Sequence, residues 1–170
     1  MQNPHNFTHM EFLKAYDAYA DALYRHCYFR VMNRQLAEDL VQESFMRAWV
    51  YISEGNKVDN LRPFLYRILN NAIIDEVRKR RTISLDQLRE EGFEPADAGH
   101  QILQKQLEAQ DVLKLFSKLE TQEREIAIMR FVDDLSPKEI AEVVGMKENA
   151  VSVRIHRTLK KLQSFVEEDI

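Results

Sequence analysis

Apolar residues recur at helical intervals through most of the chain. Phe12, Tyr16, Tyr19, Leu23 and Cys27 fall at steps of four, three, four and four, one buried stripe of a helix expected to end near Arg30. Thr8 marks its start, because its hydroxyl can cap while Glu11, three residues on, reaches back to the cap amide. Asn33 suits the cap of a second helix to about Ser53, and Gly55 just beyond can take the left-handed conformation that helix ends often need. On that helix Ala37, Leu40, Val41, Phe45, Ala48 and Ile52 group into a core face. Asp39, Gln42, Glu43, Met46 and Val50 point the other way, mixing acids with apolar groups, which suits a partner-docking face better than a merely solvated one. Trp49 lies at the border of that face, as core or as interface.

Residues 53–60, SEGNKVDN, are a polar connection, and Asn60 can cap a third helix with Pro63 in its tolerant first turn. That helix is expected to bury Leu61, Phe64, Leu65, Ile68 and Ala72. Its other face offers Arg62, Tyr66, Arg67, Asn70 and Arg81, with Asn71 and Arg78 to one flank. From 82 to about 101, Ser84, Gly92, Pro95 and Gly99 sit among acids with no sustained apolar period, which reads as a linker. A fourth helix from Ile102 would carry Leu103, Leu107, Val112, Leu115 and Leu119, and Thr121 would cap a fifth to about Val132. Ser136, Pro137 and Glu139 then give three agreeing start signals for a short helix with Ile140, Ala141 and Val144 inward, ended by Gly145. A longer helix follows with Val151, Ile155, Leu159 and Leu162 on its buried side and Asn149, Val153, His156, Arg157 and Lys160 outward. A short capped helix, a Gly-centred turn and a longer basic helix make a helix-turn-helix, whose second helix enters a DNA major groove.

Charge sharpens the picture. The 170 residues hold 24 Lys and Arg against 28 Asp and Glu, a net of -4, yet the charges are segregated. Residues 60–81 carry six bases against Asp75 and Glu76, and residues 147–161 carry five against Glu148, so each is net +4. Residues 82–125 between them hold ten acids and five bases. The run Arg78 to Arg81 alone would read as a helix end complementing its dipole. Preceded on the same helix by Tyr66, Asn70 and Asn71, it suits single-stranded nucleic acid. On the last helix Arg154 and Arg157 can meet phosphates or guanine edges, Asn149 an adenine and Val153 a thymine methyl.

Other classes recede. The lone Cys27 allows no internal disulfide and favours a reducing, cytoplasmic setting. No apolar run approaches ~18 residues and the N-terminus has no basic start leading into an apolar stretch, so neither membrane insertion nor secretion is expected. The five histidines, His5, His9, His26, His100 and His156, are scattered and are assigned structural or solvated roles rather than a metal site. No phosphate loop, nucleophile elbow or Cys/His cluster is present, so neither catalysis nor a cofactor is expected.

With these motifs in place, the chain resembles the extracytoplasmic-function group of sigma-70-type bacterial RNA polymerase sigma factors. AEDLVQESFMRAW at 37–49 and LRPFLYRILNNAIIDEVRKRR at 61–81 are similar to their region 2. LETQEREIAIMRFVDDLSPKEIAEVVGMKENAVSVRIHRTLKKL at 119–162 is similar to their region 4. The resemblance implies an all-α fold of two small helical domains, region 2 over 1–82 and region 4 over 102–170, joined by a flexible acidic linker over 83–101. It implies docking on the coiled coil of the polymerase beta-prime subunit through Asp39, Leu40, Gln42, Glu43 and Met46. It implies minus-10 recognition and strand separation through Asn56, Lys57, Asn60, Arg62, Tyr66, Asn70, Asn71 and Arg78, with residues 53–60 capturing a flipped base. Minus-35 reading would fall to Lys147, Asn149, Ala150, Ser152, Val153, His156 and Arg157, with flanks of region 4 on the beta flap. Lys147 stands where a Ser commonly caps that helix, and Phe64, Leu69 and Glu120 also depart from the usual Trp, Ala and Pro. An anti-sigma protein is a further family expectation, as is a monomer when free. The competing readings are a stand-alone helix-turn-helix regulator binding DNA as a dimer, and a decoy that binds polymerase without initiating.

Overall fold

A computed structural model describes residues 8–87 and 111–168 of the chain. Among the described residues the fold is all helical. The elements are α1 (His9–Val31), α2 (Arg34–Ser53), α3 (Leu61–Gln87), α4 (residues 111–117), α5 (Thr121–Ala127), a π-helical segment (Ile128–Val132), α6 (Pro137–Val144) and α7 (Glu148–Glu168). The helix starts follow the sequence signals closely. Thr8 and Glu11 form the expected capping box, the Asn33 side chain accepts from the Leu36 amide at 2.9 Å, and Ser136 and Glu139 form a second box with Pro137 at the first helical position. Gly55 and Gly145 both hold positive φ, +86° and +69°, where a Cβ would be strained. The fifth helix starts differently: Thr121 is its first helical residue and Glu120 its cap, whose amide donates to Glu123 Oε2 at 3.4 Å.

Helices α1, α2 and α3 pack on one another around Leu23, Cys27, Ala37, Ala48, Leu65 and Leu69, all with no exposed surface. The α2 core face is as its period predicts, with all six residues buried. Two of the other expected stripes shift. On α1 the buried set is Phe12, Ala15, Leu23, His26 and Cys27, while Tyr16 stays 42% exposed with its ring resting 4.7 Å from that of Phe45. On α3, Tyr66, Leu69 and Ile73 join Leu61, Leu65 and Ala72 inside, and Phe64 and Ile68 are only half-buried. This helix also runs through Gln87, five residues beyond the break expected at 82, because no Gly or Pro interrupts it and Thr82 Oγ1 donates back to the Arg78 carbonyl at 3.1 Å. The rest of the expected linker, with Gly92, Pro95, Gly99 and His100, lies outside the described residues, as do His5, Ile102, Leu103 and Leu107.

A second cluster forms where Phe116, Leu119, Ala127 and Ile128 meet Leu162 and Phe165. Phe116, rather than Val112, turns inward on α4; Val112 is exposed. Arg124 ties α4 to α5, its Nε donating to the Phe116 carbonyl at 2.9 Å and its Nη2 to those of Ser117 and Leu119 at 3.0 and 3.1 Å, which satisfies carbonyls left over at a helix end. On α7 Val151 is buried and Ile155 half-buried as expected, but Leu159 is 39% exposed and Thr158 takes the inner position. The two halves then share one apolar seam: Ile126, Met129, Leu135, Ile140, Ala141 and Val143 join the core of the first three helices, with α6 against α3 and the π segment against α1.

Burial pushes the Cys27 thiol from its ordinary 9.0 up to about 12. Its folded pKa lies above the unfolded one, so the stability it contributes is complete below pH 9 and is lost as pH rises from 9 towards 12. The native protein is therefore expected to leave a thiol-specific reagent unreacted at pH 8 and to titrate one thiol only after denaturation. The difference in unfolding free energy between wild type and Cys27→Ala should shrink as pH is raised above 9. Ser136→Ala removes the cap of α6 and should lower stability by about 1 kcal/mol in denaturant titration.

Candidate nucleic-acid interface

The outward face of α2 is an open groove of about 590 Å³ lined by Asp39, Gln42, Glu43, Met46, Arg47, Val50, Tyr51 and Glu54. Met46 is 69% exposed and Val50 51%, on a helix whose opposite side is buried throughout. Acids rim the apolar floor, and Glu43 holds Arg47 in an exposed ion pair one turn on. Leu40, expected on this face, is only 6% exposed. It lies with Ala37 and Val41 on the core side, so it supports the groove without lining it.

At the end of α2 a smaller cleft of about 180 Å³ opens between the 57–60 segment and α3, lined by Tyr51, Lys57, Val58, Asp59, Asn60, Pro63, Phe64, Arg67 and one residue of α6, Glu142. Its wall is aromatic and cationic together: the Tyr51 and Phe64 rings lie 5.1 Å apart and the Arg67 guanidinium sits 5.5 Å over Phe64. Asn56 is fixed nearby, its amide donating to the Tyr51 carbonyl at 2.9 Å, and Asn60 Oδ1 accepts from the Arg62 amide at 3.3 Å. Such a pocket offers a stacking surface and positive charge to an unpaired base.

The α3 face differs from its sequence reading. Asn71 and Arg78 are exposed, but Arg62 is engaged by the C-terminal half, and Tyr66 and Asn70 are buried. Arg62 Nη2 donates to the Asp133 carbonyl at 2.7 Å, and Nη1 lies 3.4 Å from Glu139 Oε1. Tyr66 has no exposed surface; its ring meets His26 edge-on at 5.2 Å. Burial, with Asp133 adding like charge, raises its hydroxyl pKa above the ordinary value while Arg62 opposes the shift. Asn70, 3% exposed, accepts from Arg30 Nη1 at 2.5 Å. Burial lowers the Arg30 pKa, partly offset by Glu125 at 3.6 Å. The expected outward face is thus present as a set of residues, and a second layer of protein lies over its centre.

The most enclosed polar contact is one the sequence reading did not single out. His26 Nδ1 lies 2.7 Å from Asp133 Oδ2, with both side chains completely buried and 107 residues between them. His26 sits beside Leu23 and Cys27 on the α1 stripe, so its periodic position marks it as inward. No local signal identifies its partner. Asp133 is aimed by the π segment, where its amide bonds the Ile128 carbonyl at 3.1 Å, and by Asp134, which takes a positive φ of 54°. Among the described residues no group of His, Cys, Asp and Glu is arranged to hold a metal ion.

On α7, Lys147, Asn149, Ala150, Ser152, Val153, His156 and Arg157 are all exposed on one stretch beside Lys160. The start of the helix has no side-chain oxygen to cap it; the Lys147 carbonyl accepts from the Val151 amide at 3.1 Å. Arg154, expected to meet phosphates or guanine edges, bonds Gln122 instead, and Lys161 bonds Glu123. The Lys161 hydrogen bond is the main reason the Glu123 carboxyl is held below its ordinary pKa. Together these bonds fix α7 against α5 and leave the 147–157 face free to enter a groove.

Comparison with known proteins accounts for both halves. The sigma-70 region 2 model matches residues 15–83 and the sigma-70 region 4 model residues 109–162. The ECF RNA polymerase sigma factor SigM of Bacillus subtilis (strain 168) is 32% identical over 156 residues, 88% of this chain and 91% of that protein. SigW of the same organism is 30% identical over 161 residues, 86% of this chain and 84% of that one. The sigma factor RpoE of Bartonella quintana, solved with the anti-sigma factor NepR, superposes with a TM-score of 0.73 at 25% identity over 94% of this chain and 99% of that chain. CnrH, solved with the cytosolic domain of CnrY, shares the fold, with a TM-score of 0.71 at 23% identity over 96% of this chain and 92% of that one. A stand-alone regulator would leave the N-terminal match without explanation. With region 2 and region 4 present in one chain and in that order, the protein belongs to the extracytoplasmic-function group of the sigma-70 family, the RNA polymerase sigma factors.

Proposed function

We propose that the chain docks on bacterial core RNA polymerase through the α2 groove and reads a promoter at two places. Asp39, Gln42, Glu43 and Met46 offer the beta-prime coiled coil an apolar floor with an acidic rim, while Leu40 holds that floor from beneath. Flanks of region 4 meet the beta flap. The cleft beside Lys57, Asn60 and Phe64 takes a minus-10 base flipped from the duplex, the exposed Asn71 and Arg78 hold the separated strand, and Arg62, Tyr66 and Asn70 of the same helix join them only where the C-terminal half is lifted away. Asn56 shapes the wall of that cleft. The exposed α7 stretch of Lys147, Asn149, Ala150, Ser152, Val153, His156 and Arg157 lies in the minus-35 major groove. The domains divide at about 1–82 and 102–170, with 83–101 between them. The chain does no bond chemistry of its own, since phosphodiester synthesis belongs to the polymerase it directs. It acts in the cytoplasm as a monomer, and an anti-sigma protein holds it in reserve; the Bartonella relative was solved in complex with one. No described helix is long and apolar enough to cross a membrane.

One observation carries this reading above the rest: two helices of opposite halves each present a cationic, polar face, while a third, apolar and acid-rimmed face stands on α2 away from both. Reconstituted run-off transcription on genomic promoter fragments tests it. Core enzyme with the wild-type chain is expected to give discrete transcripts that neither component gives alone. Met46→Glu should weaken core binding by roughly 2 kcal/mol or more, as for a central interface residue, and reduce transcripts in proportion. Arg157→Ala should leave core binding intact and lower the salt dependence of promoter binding by about one unit of slope. Absence of core binding by the wild-type chain would refute the proposal.

A further inference from the structure

Helix α7 begins without a side-chain cap of its own, and its orientation is fixed from the side instead. It follows Gly145, which holds a φ of +69°, and Lys147 carries no side-chain oxygen to meet its first amides. Gln122, in the first turn of α5, reaches both the turn and the helix beyond it. Its Nε2 lies 3.9 Å from the Met146 Sδ, a weak acceptor, and its Oε1 accepts from Arg154 Nη1. We infer that Gln122 is a positioning residue for promoter reading: by holding Arg154 it sets the roll of α7 about its own axis, and so which side chains meet the base edges. This rests on the proposed minus-35 role of α7, and it assigns Arg154 to the protein rather than to DNA.

Three features single out Gln122 among the contacts of α7. Arg154 and Lys161 are seven residues apart, two helical turns, and so share one edge of α7. Gln122 holds the first and Glu123 the second, so consecutive residues of α5 grip α7 at two heights. Glu123 is itself anchored, because the Glu120 amide donates to its Oε2 at 3.4 Å. At about 3.6 residues per turn, the gripped edge lies between the buried Val151 and Thr158 and the exposed Arg157. Apolar packing is non-directional and opposes rotation weakly, whereas hydrogen bonds to one edge have a direction and resist it. Gln122 is also exposed, so it fills no core that would account for its place.

The test uses holoenzyme reconstituted from core enzyme and the full chain, selecting on promoter fragments whose minus-35 stretch is randomised. Two quantities are read: the affinity ratio between the sequence that wild type enriches and a scrambled one, and the slope of log affinity against log salt. Gln122→Ala is expected to lower the ratio about tenfold, the scale of one lost base contact, with core binding unchanged. Gln122→Glu should restore it, because a carboxylate accepts from Arg154 as the amide oxygen does. Arg154→Ala should lower the ratio equally, leave the salt slope unchanged and add nothing to Gln122→Ala in the double variant. Wild-type selectivity in Gln122→Ala overturns the inference, even if its melting temperature falls, and so does a loss that Gln122→Glu fails to restore. Tighter binding by Gln122→Ala with a slope steeper by about one unit also overturns it, since the freed arginine would then be taking a phosphate. A wild-type holoenzyme that enriches no minus-35 sequence sinks the minus-35 role of α7 and the positioning role with it. That pattern differs from a selective wild type with equally selective variants, in which the positioning role alone fails.

Discussion

A cation or carboxylate taken out of water has to find its counterpart, and the way the two halves meet follows from that requirement at His26 and Asp133. Both side chains are fully enclosed, 2.7 Å apart, with the Tyr66 ring edge-on to His26. Removing one member of a buried polar pair leaves the other desolvated without compensation, at a cost of roughly 3 to 5 kcal/mol for a charged pair. Neither residue could be buried in its own half without this loss. The contact therefore selects one register of the C-terminal half on the N-terminal half, and the peripheral pairs, Arg62 with Glu139 and Arg30 with Glu125, fall into place around it.

That register ties the charge distribution to function. Residues 60–81 are net +4 within a chain of net -4, so an open α3 would attract any nucleic acid by counterion release, without selecting a sequence. Arg62, its central cation, is held by Glu139 and the Asp133 carbonyl, while the flanking Arg78 stays exposed. The apolar, acid-rimmed groove on α2 lies on the opposite side from the α2 core and is open in the same arrangement.

Local signals were legible wherever they were carried by a few neighbouring residues. The capping boxes at Thr8 and Ser136, the Asn33 cap, the Gly145 turn and the whole α2 core face depend on spacing within one or two turns, and all appear as read. What failed depended on partners distant in sequence. Tyr66 and Asn70 read as outward because their helix alone leaves them so; Tyr66 is met by His26 of α1 and by Asp133, and Asn70 by Arg30 of α1, all forty or more residues away. Leu159 and Thr158 exchanged places on α7 because α5, not a generic core, sets the inner direction of that helix, through Gln122 with Arg154 and Glu123 with Lys161. The π segment, which rotates Asp133 inward, has no apolar period of its own to betray it.

The seam must also be weak enough to part, and its composition says how. Its apolar members favour closure in proportion to the area they hide, whereas its polar groups give up water and recover that cost only where they pair, as His26 does with Asp133. The two contributions oppose each other, so the closed arrangement is favoured by far less than its buried area alone would suggest. A partner needs only to bind the open arrangement better by that remaining difference in order to shift the population. The pairing of His26 with Asp133 and of Arg62 with Glu139 across the seam therefore adds to the step that any such partner has to supply.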